Sequence, residues 1–291
     1  MKYDFDCVVV GSGIAGMTAA IYLKRANLNV LILDSDAPGG LLNKISVIEN
    51  YPGFTKISGP DLALRLYEQV KSLDIEVRYG RVLNIDDHIV TTDIEKISAN
   101  KVILAVGRKA RKLDNTNDLK NVSYCALCDA SLYKDKIVAI VGCNNTAIEE
   151  ALYLSDICQK VILLCRNLSL KGEEALIDKL KSKDNVDLQY NCVIQTLNSK
   201  DNILNKIITN NGEFLVDGMF VAIGYEPSVE FLNSVNKDNG YIIVNDKMQT
   251  NIDYIFACGD IIKKDVYQLT TAVGEATTAA INVKKELRKE V

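Results

Sequence analysis

The segment NVSYCALCDASLYKDK sets Cys125 and Cys128 three positions apart, with Asp129 directly behind them. A C-x-x-C of this kind closes a small disulfide, and its thiols serve as nucleophile and leaving group in exchange with another disulfide. Two other readings stand beside redox chemistry: half of a zinc site, or two incidental buried cysteines. Zinc needs four ligands at ligand spacing, and Cys143, Cys158, Cys165 and Cys192 supply no second pair. The spacing favours the redox reading. Thiol chemistry also needs a group that gives and takes a proton. The single histidine, His88, belongs to the polar turn Asp86-Asp87-His88, where it reads as a solvated surface residue. Asp129 is the carboxyl at hand, and as a helix N-capping type it has a structural reading as well.

A dithiol needs a source of electrons, and the chain carries two units built on one plan. The first is DCVVVGSGIAGMTAAIYLKRANLNVLILDSD and the second is KIVAIVGCNNTAIEEALYLSDICQKVILLCRN. Each runs an apolar strand into a glycine turn, a helix patterned at i, i+3, i+4 and a second apolar strand. Gly11 precedes Asp34 by 23 residues, and Gly142 precedes Cys165 by 23 and Arg166 by 24. In the first unit Gly11, Gly13 and Gly16 complete G-x-G-x-x-G: a tight turn, room for a pyrophosphate, and close packing of helix on strand. The helix start then offers N–H groups to phosphate, and Asp34 closes the second strand where ribose hydroxyls would lie. Further on, VILAVGRKA and YIFACGDII each run a strand into a glycine. Together with the first fingerprint they favour a long cofactor bound in extended form, FAD rather than NAD.

The whole chain sets the bounds. Its 291 residues, 48% hydrophobic and 25% charged, suit a globular protein of about two domains. A net charge of -4 without a dense basic block argues against nucleic acid as a partner. MKYDFD does not read as a secretory leader. The uncharged stretch from Cys7 to Leu23 is broken by three glycines and is shorter than the roughly 20 residues a membrane span needs, so no membrane role is expected. Eight cysteines are too sparse for a disulfide scaffold and point to a reducing compartment, the cytoplasm.

GSGIAG, the Gly39-Gly40 pair, ENYPGF, YCALCDA, NNTAIEEALYLS, FVAIGYEP, MQTNIDYIFACGD and AVGEATTAA follow in that order across nearly the whole chain. In this the sequence resembles the low-molecular-weight thioredoxin reductases. The resemblance implies a homodimeric FAD protein in which Cys125 and Cys128 pass electrons from flavin to thioredoxin and Asp129 handles the proton. It carries FAD contacts onto Gly11, Ser12, Gly13, Ile14, Ala15, Gly16, Asp34, Gly39, Gly40, Leu41, Asn50, Val82, Ala105, Gly107, Gly259, Asp260, Gln268 and Leu269. It implies an α/β fold of two Rossmann-like, three-layer domains. The FAD domain is 1–114 plus 246–291, and a domain of 115–245 carrying the cysteine pair is inserted in it.

Departures from that family cluster on the electron-donor side. Where NADPH-using relatives have further glycines, Cys143 and Asn144 follow Gly142, and an Asn side chain crowds a pyrophosphate. Where those relatives have His-Arg-Arg and a later Arg, only Arg166 and Lys171 remain. Losing one bidentate phosphate partner costs roughly 1.5–3 kcal/mol. The family's Arg-Gln is Tyr267-Gln268 here. VGCN, YQ and AVGE resemble the flavin thioredoxin reductases that accept electrons from ferredoxin, whose iron–sulfur cluster sits in the partner because this chain lacks the cysteine spacing for one. Against this, Thr146, Glu149, Glu150 and AIGYEP keep an NADPH-like look. Gly142, Thr146, Arg166 and Lys171 are the candidate contacts of a weakly held nucleotide, and the balance leans to ferredoxin over NADPH. The expected mechanism runs from reduced FAD to the cysteine pair and on to thioredoxin through a mixed disulfide, with a rotation of one domain against the other. A flavin dithiol oxidase and a non-enzymatic flavin redox sensor are the rival readings.

Overall fold

A computed structural model describes residues 3–227, 229 and 231–288 of the chain. Its helices are α1 (Ile14–Lys24), α2 (Gly59–Ser72), α3 (Ala126–Asp129), α4 (Asn145–Ser155), α5 (Glu174–Lys181) and α6 (Leu269–Leu287). The chain forms two compact units, Met1–Lys109 with Pro227–Val291, and Ala110–Glu226. The fold is α/β, and each unit is Rossmann-like, the second inserted in the first.

In the first unit β1 (Phe5–Val10) leads through a glycine turn into α1 and on to β2 (Val30–Asp34), parallel to β1 with Cys7 opposite Val30 and Val10 opposite Leu33. With β3 (Glu76–Tyr79), β4 (Val82–Asp86), β5 (Ile89–Thr92) and β6 (Lys96–Leu104) the sheet order is β3-β2-β1-β6-β5-β4, and Ile255–Ala257 adds a parallel strand beside β6. CVVV and VLIL lack polar alternation because both faces of these strands are covered. Cys7, Val9, Ile32 and Ile103 pack with α1, α2 and α6, while Val8, Val10, Leu31 and Leu33 pack with Val82, Ile85 and Val90. Small residues let α1 and α6 approach closely: Ala15, Ala19 and Ala20 share one core with Ala272, Ala276 and Ala279. Fully buried Met17 and Phe256 each contribute roughly 1.5–3 kcal/mol there.

The inserted unit repeats the plan. Its parallel strands run in the order Val186–Gln189, Lys160–Leu164, Ile137–Val141, Gly218–Val221, Val122–Ser123. Val138, Ile140, Val161 and Leu163 pack with α4, whereas Ala139, Ile162 and Leu164 pack with Leu204, Ile207 and Val216 of the other layer. That layer includes the antiparallel strands Ile194–Lys200, Ile203–Thr209 and Gly212–Leu215. The repeat extends to single hydrogen bonds. Gly11 N–H donates to Leu33 O at 2.7 Å and Gly142 N–H to Leu164 O at 3.1 Å.

The chain returns to the first unit at Pro227 rather than at 246, and leaves it after Lys109 rather than 114. Val229, Leu232, Val235 and Ile242 are buried in the first unit's core, and Lys263 N–H donates to Ile242 O at 2.9 Å. Val229, Leu232 and Val235 recur every third residue, but over only seven residues, too short a run for the sequence to mark an element there. His88 also differs from its solvated reading. It is half-buried, its Nδ1 lies 3.0 Å from Asn100 O, and its ring stacks on Tyr254 at 4.0 Å.

Candidate active site

Cys125 and Cys128 form a disulfide, with Cα atoms 5.4 Å apart. Cys125 is the N-cap of α3, and its Sγ accepts the Cys128 N–H at 3.2 Å, a bond that favours negative charge on that sulfur. The two sulfurs differ in access: Cys125 is buried and Cys128 exposed. Beneath them Ser123, absent from the sequence-derived set, joins the pair to the acid. Its hydroxyl donates to Asp129 Oδ2 at 2.6 Å and accepts the Cys125 N–H at 3.0 Å. Asp129 makes no capping hydrogen bond, so its carboxylate serves this link rather than a helix start. A small polar residue two places before the first cysteine was the only signal, and serines in turns are too common to stand out.

The first unit's glycine turn gathers most residues expected to hold a dinucleotide. A Cβ on Gly11 would stand 2.4 Å from Ala105 O, and one on Gly16 would stand 1.8 Å from Gly11 O. Gly39, at φ +118°, donates its N–H to Ser12 O at 2.9 Å, and Gly40 places its Cβ direction 3.5 Å from the Gly13 Cα. A Cβ on Gly259 would meet that of Ala15 at 2.9 Å. Gly13 itself faces open space, and no side chain caps the α1 N-terminus that Ile14, Ala15 and Gly16 begin. A buried helix start with free N–H groups fits a phosphate group. Ser12 N–H and Oγ both donate to Asp34 Oδ2 at 2.5 Å, which fixes the carboxylate at the strand end beside the turn. These residues fit an extended dinucleotide.

The remaining candidates spread outward. Asn50 Nδ2 donates to Gln268 Oε1 at 3.3 Å, Leu269 opens α6, and Leu41 is half-buried. Gly107 faces open space, and Val82 belongs to the core on the opposite face of the sheet. Asp260 is tied down from two sides, by Arg108 at 2.7 Å and Lys264 at 3.4 Å. Lys264 also pairs with Glu275 at 2.8 Å, and Glu275 accepts the Gly259 N–H at 3.0 Å. Burial raises the Glu275 carboxyl above the usual range, and Lys264 opposes that shift. Tyr267, in place of the arginine expected there, lies 4.2 Å beneath the Arg108 guanidinium.

The second glycine turn is built differently. A Cβ on Gly142 would meet Ala222 O at 2.4 Å, the same constraint as at Gly11. Asn144, however, caps α4: its Oδ1 accepts the Ala147 N–H at 3.2 Å. Lys171 N–H donates to Cys143 O at 2.6 Å, Thr146 lies in the first turn of α4, and Arg166 is exposed just past its strand. The four candidate nucleotide contacts therefore share one end of this sheet, around a helix start already satisfied in part by its own side chain. Cys7, Cys158 and Cys258 are buried thiols; burial raises Cys158 to about 11 and Cys258 to about 12. Cys258 is wholly enclosed in the α1–α6 core rather than lining the turn.

Residues 5–276 match the family model of pyridine nucleotide-disulphide oxidoreductases. The thioredoxin reductase of Mycoplasmopsis pulmonis is 36% identical, spanning 98% of both chains. The chain belongs to the thioredoxin reductase branch of this family. It is a flavoprotein disulfide oxidoreductase. Among solved structures, Lactococcus lactis thioredoxin reductase in its FR conformation superposes with a TM-score of 0.94 at 33% identity, covering 98% of this chain and 100% of that one. The ferredoxin-flavin thioredoxin reductase of Clostridium acetobutylicum matches at 32% identity over 98% of each chain, with a TM-score of 0.55. No helix among the described residues is long and apolar enough to cross a membrane.

Proposed function

We propose that this enzyme reduces the disulfide of thioredoxin with electrons passed from FAD through Cys125 and Cys128, and that reduced ferredoxin supplies the flavin. The observation that carries the first part is the Cys125–Cys128 disulfide with Asp129 held beside it by Ser123. Gly11–Gly16 with Asp34, Gly39, Gly40, Gly259 and Asp260 would hold FAD, which when bound would supply the electron pair needed to open this disulfide. Cys128, the exposed sulfur, then attacks thioredoxin and forms a mixed disulfide. Cys125, buried alongside, displaces that bond, closes the ring again and frees reduced thioredoxin. Asp129 takes and returns the proton.

The donor assignment rests on the contrast between two helix starts. That of α1 has no side-chain cap, whereas Asn144 occupies an N–H of α4 that a nicotinamide dinucleotide's phosphate would use. Among the described residues no group of three or more His, Cys, Asp or Glu could hold a metal, so a donor's iron–sulfur cluster belongs to the donor. This reading makes the enzyme a cytoplasmic homodimer, and six of its cysteines are free thiols, as a reducing compartment requires. The test is anaerobic reduction of the bound FAD, followed by absorbance, with NADPH, NADH and reduced ferredoxin compared. Ferredoxin should bleach the flavin within turnover time. Rapid bleaching by micromolar NADPH would assign the donor to NADPH instead.

A further inference from the structure

We propose that Cys143 and Cys165 are a second dithiol, converted by hydroperoxides to a reversible disulfide at the open end of the inserted unit. The internal repeat carries the geometry. Gly142 stands where Gly11 does, which places Cys143 at the position of Ser12 and Cys165 at that of Asp34. In the first unit those two side chains touch, Ser12 Oγ donating to Asp34 Oδ2 at 2.5 Å. In the second unit the same strand ends are bonded together: Val141 pairs with Leu164, and Gly142 N–H donates to Leu164 O. Cys143 and Cys165 therefore leave neighbouring strand ends, and half-buried Cys143 packs against the apolar cluster that contains Cys165. Neither takes part in the Cys125–Cys128 disulfide.

Access divides the work between them. Cys143 is half-exposed, whereas Cys165 is 1% exposed with its Sγ 3.5 Å from Asn167 O and 3.6 Å from Ser169 O. Burial, reinforced by Cys143, raises the Cys165 thiol to about 12, so it stays protonated until its neighbour is oxidised. The Cys143 sulfur attacks the terminal oxygen of a hydroperoxide, the O–O bond breaks, and the thiol proton goes to the departing oxygen, which leaves as an alcohol, or as water from hydrogen peroxide. Cys143 becomes a sulfenic acid. Cys165 then attacks that sulfur: the S–S bond forms, the S–O bond breaks, and hydroxide leaves with the Cys165 proton as water. Two thiols lose two electrons and the peroxide gains them. A small dithiol reverses the step by exchange. The cross-link acts on the end of the unit that carries Gly142, Arg166 and Lys171, since Cys143 O holds the Lys171 N–H.

Peptide mapping tests this whatever donor the enzyme uses. The full chain, fully reduced, is exposed to hydrogen peroxide, blocked with N-ethylmaleimide, digested without reductant and examined by mass spectrometry. The expected product joins the Cys143 and Cys165 peptides and disappears on treatment with dithiothreitol. Cys165→Ser should instead accumulate sulfinic acid at Cys143, at least tenfold above wild type. If that variant does not fold, Cys143→Ser at the half-exposed position should leave Cys165 as an unoxidised, alkylatable thiol. Wild-type protein in which Cys143 reaches sulfinic acid while Cys165 stays a thiol, or in which Cys143 pairs with Cys192, overturns the proposal.

Discussion

At Ser123 one hydroxyl serves both the disulfide and the acid, accepting the Cys125 N–H and donating to Asp129. Hydrogen bonds to charged groups contribute roughly 1.5–3 kcal/mol. Ser123→Ala should therefore lower the rate of thioredoxin reduction about tenfold, with flavin content unchanged and Ser123→Thr retaining part of the rate. Steady-state assays that place the loss in KM for thioredoxin rather than in kcat would argue against a role in positioning Asp129. Gly16 tests the other unit. Its Cβ would collide with backbone at 1.8 Å, where no side-chain rotation brings relief. Overpacking costs about 1–3 kcal/mol or more, and Gly16→Ala should give a lower Tm and a colourless protein, read from thermal melts and from absorbance.

Two helices decide much of the chemistry near their starts, α4 through its N-cap and α6 through its second turn. In α4, replacing the Asn144 cap by glycine costs only a few tenths of a kcal/mol while clearing the helix start. Asn144→Gly should speed anaerobic flavin reduction by NADPH at least severalfold in stopped-flow mixing; an unchanged rate would show that the cap is not what limits NADPH. In α6, Glu275 holds the Gly259–Asp260 turn by its N–H and neutralises Lys264. Its carboxyl titrates above the ordinary 4.5 because it is buried. A carboxyl with a higher pKa folded than unfolded adds stability below the unfolded value, and that contribution is lost as pH rises through the folded one. Thermal stability should decline over this window in wild type and stay flatter in Glu275→Gln, as pH-resolved melting curves would report.

For the molecule as a whole, the insertion has a consequence for folding. Both cores of the inserted unit, including the packing around α4, are drawn from residues within Ala110–Glu226. Residues 110–226 expressed alone should fold cooperatively and keep the Cys125–Cys128 disulfide but take up no flavin. A chain without a melting transition by circular dichroism would contradict that independence. The six free cysteines divide by access: Cys7, Cys158, Cys165, Cys192 and Cys258 are buried, and Cys143 is partly exposed.

The repeated βαβ units, the intact glycine turn and the C-x-x-C were legible because each depends on near neighbours in the chain: a strand's apolar run, a turn that admits only glycine, a disulfide spanning two residues. Family membership followed from the order of those motifs. Contacts between residues far apart in sequence were not legible. Ser12 on Asp34, Arg108 on Asp260 and Glu275 on the Gly259 N–H are made by side chains whose types have many possible partners, and only the packed sheet selects one. The return to the first unit at Pro227 belongs to the same class, since Val229, Leu232 and Val235 form too short a run to mark an element and are specified by the core they fill. The sequence by itself determined the plan of the fold and the redox pair. Tertiary structure decided which helix start is left open, which sulfur faces solvent and which thiols are buried, because these depend on burial and on strand ends that only folding brings together.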